Sequence, residues 1–224
     1  GKGCRLMTRL YFVRHGKTEW NLEGRYQGAH GDSPLLAQSY LEIGLLAEYL
    51  NNVRFAKAYC SPIKRARVTA QKLVSLLEYP VKLESDRAFQ EFDLGKMEGM
   101  KFTEVAKQFP EELDAFRHHP DRYDGAKING ESYQDVIERM TPKIKAICER
   151  YSKENILIVS HGAALCAEIR HLMGVPLSKI RDKGGLANTS TSILETTDNG
   201  QTFKCIEWNK NDYLKRGIDP TDVV

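Results

Sequence analysis

The stretch Leu10-Tyr11-Phe12-Val13-Arg14-His15-Gly16-Lys17-Thr18 joins a short apolar, β-forming run to an arginine, an imidazole and a glycine. Such a run reads as a buried strand that stops at Arg14-His15-Gly16. It therefore sets a titratable ring beside a fixed positive charge at a strand's C-terminal end. Open α/β sheets bind ligands at that edge. A neutral imidazole is a competent nucleophile, and a planar guanidinium holds phosphate by two parallel hydrogen bonds.

Outward from this strand, apolar runs and helical periodicities alternate. The pattern predicts an α/β fold, a three-layer α/β/α sandwich with a mostly parallel central sheet. A polar loop, Trp20 to Pro34, is followed by a helix over 35–51. A strand over 56–60 leads to Ser61-Pro62, with Pro62 in the first turn of a helix running to about Leu77. Val81 to Leu83 is a third strand. The charged, aromatic stretch from Asp86 to Glu131 has short helical patterns at 104–109 and 111–118, and its part from about 96 to 131 reads as a small inserted cap within one domain. Ser132 and Asp135 cap a long helix to about Tyr151. Asn155–Ser160 is the clearest buried strand, and His161-Gly162 ends it as His15-Gly16 ends the first. Two more strands, 191–196 and 203–208, flank the turn Asp198-Asn199-Gly200.

Composition narrows the class. The 224 residues suffice for one domain with a sizeable core, and a net charge of +3 with scattered basic residues does not point to nucleic acid. No apolar stretch is long enough for a membrane span. The five cysteines are odd in number and lack CxxC spacing, which fits a reduced, cytoplasmic setting. Met7-Thr8-Arg9 has the form of a native start, so residues 1–6 read as an appended remnant. The lack of a long hydrophobic repeat is compatible with a homodimer.

The chemistry gathers at four strand or loop ends. Besides Arg14-His15 and His161-Gly162, Arg65 and Arg67 fall in the first turns of a helix after Ser61, where helix dipole and free amides already favour anions. Glu91 lies among Phe89, Phe92 and Leu94. The six histidines show no HxH or HxxxH pair, so no metal is expected. Taken singly, His161 reads as a structural histidine, Arg65 and Arg67 as a solvated face and Glu91 as a surface carboxylate. Together the set suits transfer of an anionic group to nitrogen.

The ordered segments Arg14-His15-Gly16, Thr18, Trp20-Asn21, Gly24-Arg25, Gln27-Gly28, Asp32-Ser33-Pro34-Leu35, Ser61-Pro62, Arg65-Ala66, Glu91-Phe92, Gly130-Glu131-Ser132, Val159-Ser160-His161-Gly162 and Asn188-Thr189-Ser190 resemble the histidine phosphatase superfamily, also called the phosphoglycerate mutase-like fold. The resemblance implies that His15 becomes phosphohistidine, its other ring nitrogen bonded to a backbone carbonyl. Arg14, Arg65 and His161 then surround the phosphoryl group, with Glu91 as proton donor and later as base. Asn21 adds a neutral donor. Thr18, Gln27, Gly28, Arg67 and Gly162 are further ligand contacts, and no cofactor is implied. Glu98 and Glu131 are expected to hold loops near the pocket.

The chain departs from the family pattern in three places. Lys17 stands where glutamate is usual and is expected to add positive charge beside the pocket. The loop Ala29-His30-Gly31 carries one extra residue. Leu36 and Ser39 replace the usual helix-start residues, leaving Ser33 as an alternative cap. Phe92-Asp93-Leu94-Gly95 after the acid is in the style of the phosphatase branch, since the mutase branch carries Arg-His-Tyr-Gly there and paired cap arginines. The expected function is hydrolysis of a small-molecule phosphomonoester, with phosphoglycerate mutase as the alternative and a non-catalytic phosphate-binding module behind it. Phe102, Phe109, Phe116, Arg117, Arg122 and Tyr123 are the candidates for choosing the substrate.

Overall fold

A computed structural model describes residues 6–224. The reading of residues 1–6 as a remnant, Leu6 aside, lies outside the described residues, as does Cys4. Six strands form one sheet in the order β3-β2-β4-β1-β5-β6. These are β1 (Thr8–Arg14), β2 (Phe55–Cys60), β3 (Leu83–Ser85), β4 (Asn155–Ser160), β5 (Thr191–Thr196) and β6 (Lys204–Lys210). The first four run parallel, while β5 and β6 add an antiparallel edge. The sheet is mostly parallel, as expected, and becomes mixed only at that edge.

Alternate residues of each strand face opposite layers. Leu10, Phe12, Ile156, Ile158 and Leu194 enter one buried cluster with α6 (Tyr133–Arg150) and α7 (Gly162–Leu172). Tyr11, Val13, Leu157, Val159 and Ile193 enter the other, with α2 (Ala37–Tyr49) and α3 (Lys64–Leu76). The expected sandwich is the result. Between β3 and α6, α4 (Phe102–Gln108) and α5 (Pro110–His118) lie across the first cluster, to which Phe92, Phe116 and Tyr123 contribute.

Several local expectations shift. The stretch expected as a polar loop opens with α1 (Glu19–Glu23), too short to leave a periodic signal but closed by a capping box from Thr18 and Asn21. Pro62 lies before α3, whose N-cap is Ile63, and Ser61 Oγ accepts from Ile63 N. Ser33 does not cap α2; its hydroxyl donates to Gln27 Oε1 and accepts from Trp20 N. Helix α7 follows His161 directly and is apolar on nearly every side, so no amphipathic stripe marks it. The Ser132–Asp135 capping box of α6 is present as expected. Cys60, Cys148, Cys166 and Cys205 are all unpaired. Among the described residues no helix is long and apolar enough to cross a membrane.

Candidate active site

Parallel pairing of β1 with β4 sets Arg14 opposite Ser160, so His15 and His161 leave adjacent strands at the same level. Their ring centroids are 5.3 Å apart, edge to face. His15 Nδ1 lies 2.7 Å from Gly16 O. Because a carbonyl only accepts, Nδ1 carries the proton and Nε2 keeps its lone pair. Burial, then the charges of Arg65 and Arg14, push the His15 pKa well below its ordinary value, against a smaller opposing effect of the Gly16 carbonyl. Burial, Arg65, His15 and Arg14 do the same to His161. Both rings are therefore neutral at physiological pH. His161 Nε2 pairs with Ser61 Oγ at 2.7 Å.

One cleft is lined by Arg14, His15, Asn21, Arg65 and Glu91, with Tyr26, Gln27 and Gly28 beside them and Val224 at its margin. The two arginines are rigidly held. Arg65 Nη1 donates to Gly31 O at 2.6 Å and Asp32 Oδ1 at 3.1 Å, and Nη2 to Gly28 O at 2.7 Å. The loop with the extra residue thus closes as a carbonyl cradle for Arg65. Arg14 Nη1 donates to Leu186 O and Asp222 O, both at 2.6 Å. Burial lowers its pKa to about 10, which leaves it charged at neutral pH. The Nε groups of both arginines are buried without a hydrogen-bond partner, which is where an anion would complete the set.

Glu91 is fixed by main-chain donors: Phe92 N and Ala164 N to Oε1 at 2.9 and 2.8 Å, and Ala163 N to Oε2 at 3.2 Å. The last two are free amides of the first turn of α7. Asn21 Oδ1 accepts from Thr18 N, Thr18 Oγ1 and Asn188 Nδ2, which commits the oxygen inward and leaves the NH2 for a ligand. Thr18 and Gln27 are spent in this network, Gln27 Nε2 donating to Thr18 Oγ1 and its Oε1 accepting from Ser33. They orient Asn21, and Gln27 also lines the cleft. Gly162 touches Arg14: a Cβ there would lie 2.8 Å from Arg14 Nε. Arg67 is exposed and apart from the cleft.

Lys17 differs from expectation. It is buried, and its Nζ contacts Thr221 Oγ1 at 2.5 Å, Asp222 Oδ1 at 3.1 Å and Asp219 Oδ1 at 3.5 Å. Its charge is spent on these carboxylates and ties the segment 219–224 beside the site. Glu98 and Glu131 hold loops as expected, through His30 and through Asp93 N with Arg139. Folding also brings His30, Asp93 and Glu98 together at the surface, their ligand-type atoms within 4.8 Å of one another, which spacing alone did not reveal.

Three supporting residues had no assigned role in the sequence reading. Asn188 links Asn21 to His15 O. Thr189 takes a left-handed backbone, φ 64°, with its N–H on Arg14 O and His15 O. Arg139 of α6 clamps Ala88 O, Gln90 O and Glu91 O, positioning the acid from behind.

A neutral imidazole between two buried guanidiniums and a carboxylate, on an open α/β sheet edge, defines a site for a tetrahedral anion. The chain belongs to the histidine phosphatase superfamily (branch 1), whose family model matches residues 10–210. It is 31% identical over 188 residues to phosphoserine phosphatase 1 of Hydrogenobacter thermophilus, covering 84% of this chain and 86% of that protein. It is 31% identical over 210 residues to the uncharacterized phosphatase PhoE of Bacillus subtilis, covering 93% and 97%. The solved structure of Bacillus stearothermophilus YhfR superposes with a TM-score of 0.83 at 31% identity, covering 92% of this chain and 99% of that one.

Proposed function

We propose that the protein hydrolyses small-molecule phosphomonoesters through a phosphohistidine at His15. The observation that carries this reading is the His15 tautomer: Nδ1–H spent on Gly16 O, with Nε2 unprotonated between Arg14 and Arg65. Nε2 attacks phosphorus while the ester P–O bond breaks, and the leaving oxygen takes a proton from Glu91. Water then attacks phosphorus, gives its proton to Glu91, and the P–N bond breaks, releasing phosphate. Arg14, Arg65 and Asn21 neutralise the equatorial oxygens, and charge-assisted bonds of this kind contribute about 1.5–3 kcal/mol each. His161, bonded to Ser61 Oγ and edge-on to His15, contributes a further polar group beneath the phosphoryl position.

The names of relatives such as phosphoserine phosphatase 1 and adenosylcobalamin/alpha-ribazole phosphatase support hydrolysis over mutase chemistry. Residues 96–131 act as the cap over the leaving alcohol, with Phe102 and Arg117 near Tyr26 at the cleft. Every group named comes from one chain. Buried Cys60, Cys148 and Cys166 suit a cytoplasmic setting.

Incubation with p-nitrophenyl phosphate and with 3-phosphoglycerate tests the reading. Phosphate release with an acid-labile phosphoenzyme, both lost in His15→Ala, is expected. Unchanged hydrolysis by His15→Ala overturns the mechanism. Rapid bisphosphoglycerate-dependent interconversion of 2- and 3-phosphoglycerate with little phosphate release establishes a mutase instead.

A further inference from the structure

His161 follows β4, which lies between β2 and β1 in the sheet, and each neighbouring strand brings one group to its ring. From the β1 side comes His15, with the two ring centroids 5.3 Å apart. From the β2 side comes Ser61. Cys60 pairs with Val159, and Ser61 N donates to Val159 O at 3.0 Å, which holds the Ser61 hydroxyl beside the imidazole. Ser61 Oγ and His161 Nε2 are 2.7 Å apart, and both residues are fully buried. The hydroxyl makes one other bond, accepted from Ile63 N at 3.1 Å. His161 Nδ1 is buried with no hydrogen-bond partner.

Burial and the nearby guanidiniums keep the His161 ring neutral, so one ring nitrogen carries a proton and the other a lone pair. The bond to Ser61 can run either way, and counting donors and acceptors separates the two. If Nε2–H donates to Oγ, the Ser61 hydroxyl proton has no acceptor and Nδ1 presents a bare lone pair. Two buried polar groups are then unsatisfied, and the lone pair is an acceptor turned on an anion. If instead the Ser61 O–H donates to Nε2, the hydroxyl is fully used, because Oγ still accepts from Ile63 N. Only Nδ1–H is left unpaired, and it is a donor in a site built for an anion.

We propose that Ser61 is a positioning residue: its hydroxyl donates to His161 Nε2, fixes the Nδ1–H tautomer, and makes His161 a neutral hydrogen-bond donor to a phosphoryl oxygen. The phosphoryl acceptor rests on the phosphohistidine reading; the tautomer does not. Both imidazoles then carry their proton on Nδ1, to opposite ends. Gly16 O accepts that proton from His15 and leaves Nε2 bare for attack. Ser61 occupies Nε2 of His161 and leaves Nδ1–H free to bind. A carbonyl, which can only accept, prepares the nucleophile, whereas a hydroxyl, which can also donate, prepares the donor.

Two-bond 1H–15N correlation on the labelled, phosphate-free protein above neutral pH reads the tautomer, with the His161 ring assigned by its absence in His161→Ala. The wild type is expected to show a protonated, pyrrole-type Nδ1 and a pyridine-type Nε2. Ser61→Ala should move both nitrogens towards averaged values, and Ser61→Thr, which keeps the hydroxyl, should restore them. On p-nitrophenyl phosphate Ser61→Ala should lose about tenfold or more in kcat, most of it recovered in Ser61→Thr, since deleting one preorganised oxyanion donor outright costs about 10²–10³-fold. Ser61 also accepts from Ile63 N just before α3, which carries Arg65, so activity alone can report a displaced arginine; the ring nitrogens do not. A wild-type ring protonated on Nε2 overturns the proposal without any variant. A pure Nδ1–H ring in Ser61→Ala, or wild-type kcat in that variant, overturns the role of Ser61. The tautomer is read without substrate, so these outcomes are distinct from failure of the phosphatase reading, which is marked by hydrolysis that survives in His15→Ala.

Discussion

A methyl group at position 162 would meet Arg14 Nε at 2.8 Å and Cζ at 3.1 Å. Arg14 has no room to retreat, because Leu186 O and Asp222 O hold its other end. Gly162→Ala should therefore displace the guanidinium by a few tenths of an ångström while leaving the core intact. A full ångström of misplacement costs about a hundredfold, so a shift of a few tenths should lower kcat/KM by about tenfold or less. The expected result is a loss in kcat/KM of several-fold to about tenfold with a melting temperature close to wild type; a variant with normal kinetics would show that Arg14 tolerates the shift. Thr189 illustrates the opposite use of backbone. A β-branched residue at φ 64° is strained by about 1–3 kcal/mol, and here that conformation aims its N–H at the carbonyls of Arg14 and His15. Rigid placement of the nucleophile is maintained at some expense in local stability.

At the scale of elements, the segment 219–224 behaves as a strap. Lys17 holds it by Asp219, Thr221 and Asp222, and Arg216 binds the buried Asp222 carboxylate with both Nη groups. Lys17→Met leaves part of that buried negative charge unpaired, a defect that costs about 3 kcal/mol or more. Chemical denaturation should report the loss, and faster proteolysis within the strap should accompany it. An unchanged unfolding midpoint would contradict the assigned role of Lys17. This pairing was not legible in the sequence, because the two partners are about 200 positions apart and no local pattern joins them. For the same reason Lys17 read as free charge beside the pocket. Strands β1 and β4 were legible, since continuous apolar runs that end at His-Gly carry their own boundaries. Helix α7 was not, because burial on both sides removes the periodic stripe that marks a helix. Of the site, His15, Arg14, Arg65, Glu91 and Asn21 were legible and do meet in one cleft. Arg139 and Asn188 were not, as their significance lies in what they contact and not in neighbouring residues.

For the whole molecule, three buried groups shape the dependence of stability on pH. His15 and His161 are neutral when folded but take up protons near pH 6.5 when unfolded. Stability therefore falls as the pH drops below that value, by up to about 1.4 kcal/mol per pH unit for each ring. Glu168, on α7 against Thr141, is pushed up by burial from 4.5 to about 8. Its folded form keeps a proton that the unfolded chain has lost, so its contribution is full below pH 4.5 and is lost as the pH rises to about 8. The opposing slopes balance near pH 6.5 by this linkage, about where these three groups give greatest stability. Calorimetry from pH 5 to 9 in phosphate-free buffer should show the decline on both sides, and Glu168→Gln should remove the alkaline one. A Glu168→Gln curve parallel to wild type would rule the carboxyl out. The sheet has a different kind of consequence. His15 and His161 follow paired positions of neighbouring parallel strands, so the ladder spacing of about 4.8 Å sets their separation. Their distance is thus insensitive to which apolar residues fill β1 and β4. It is acutely sensitive to their number, for a single insertion in either strand shifts the register and turns one imidazole to the opposite face. Lineages descended from this chain can exchange core residues freely in those strands while their lengths stay frozen.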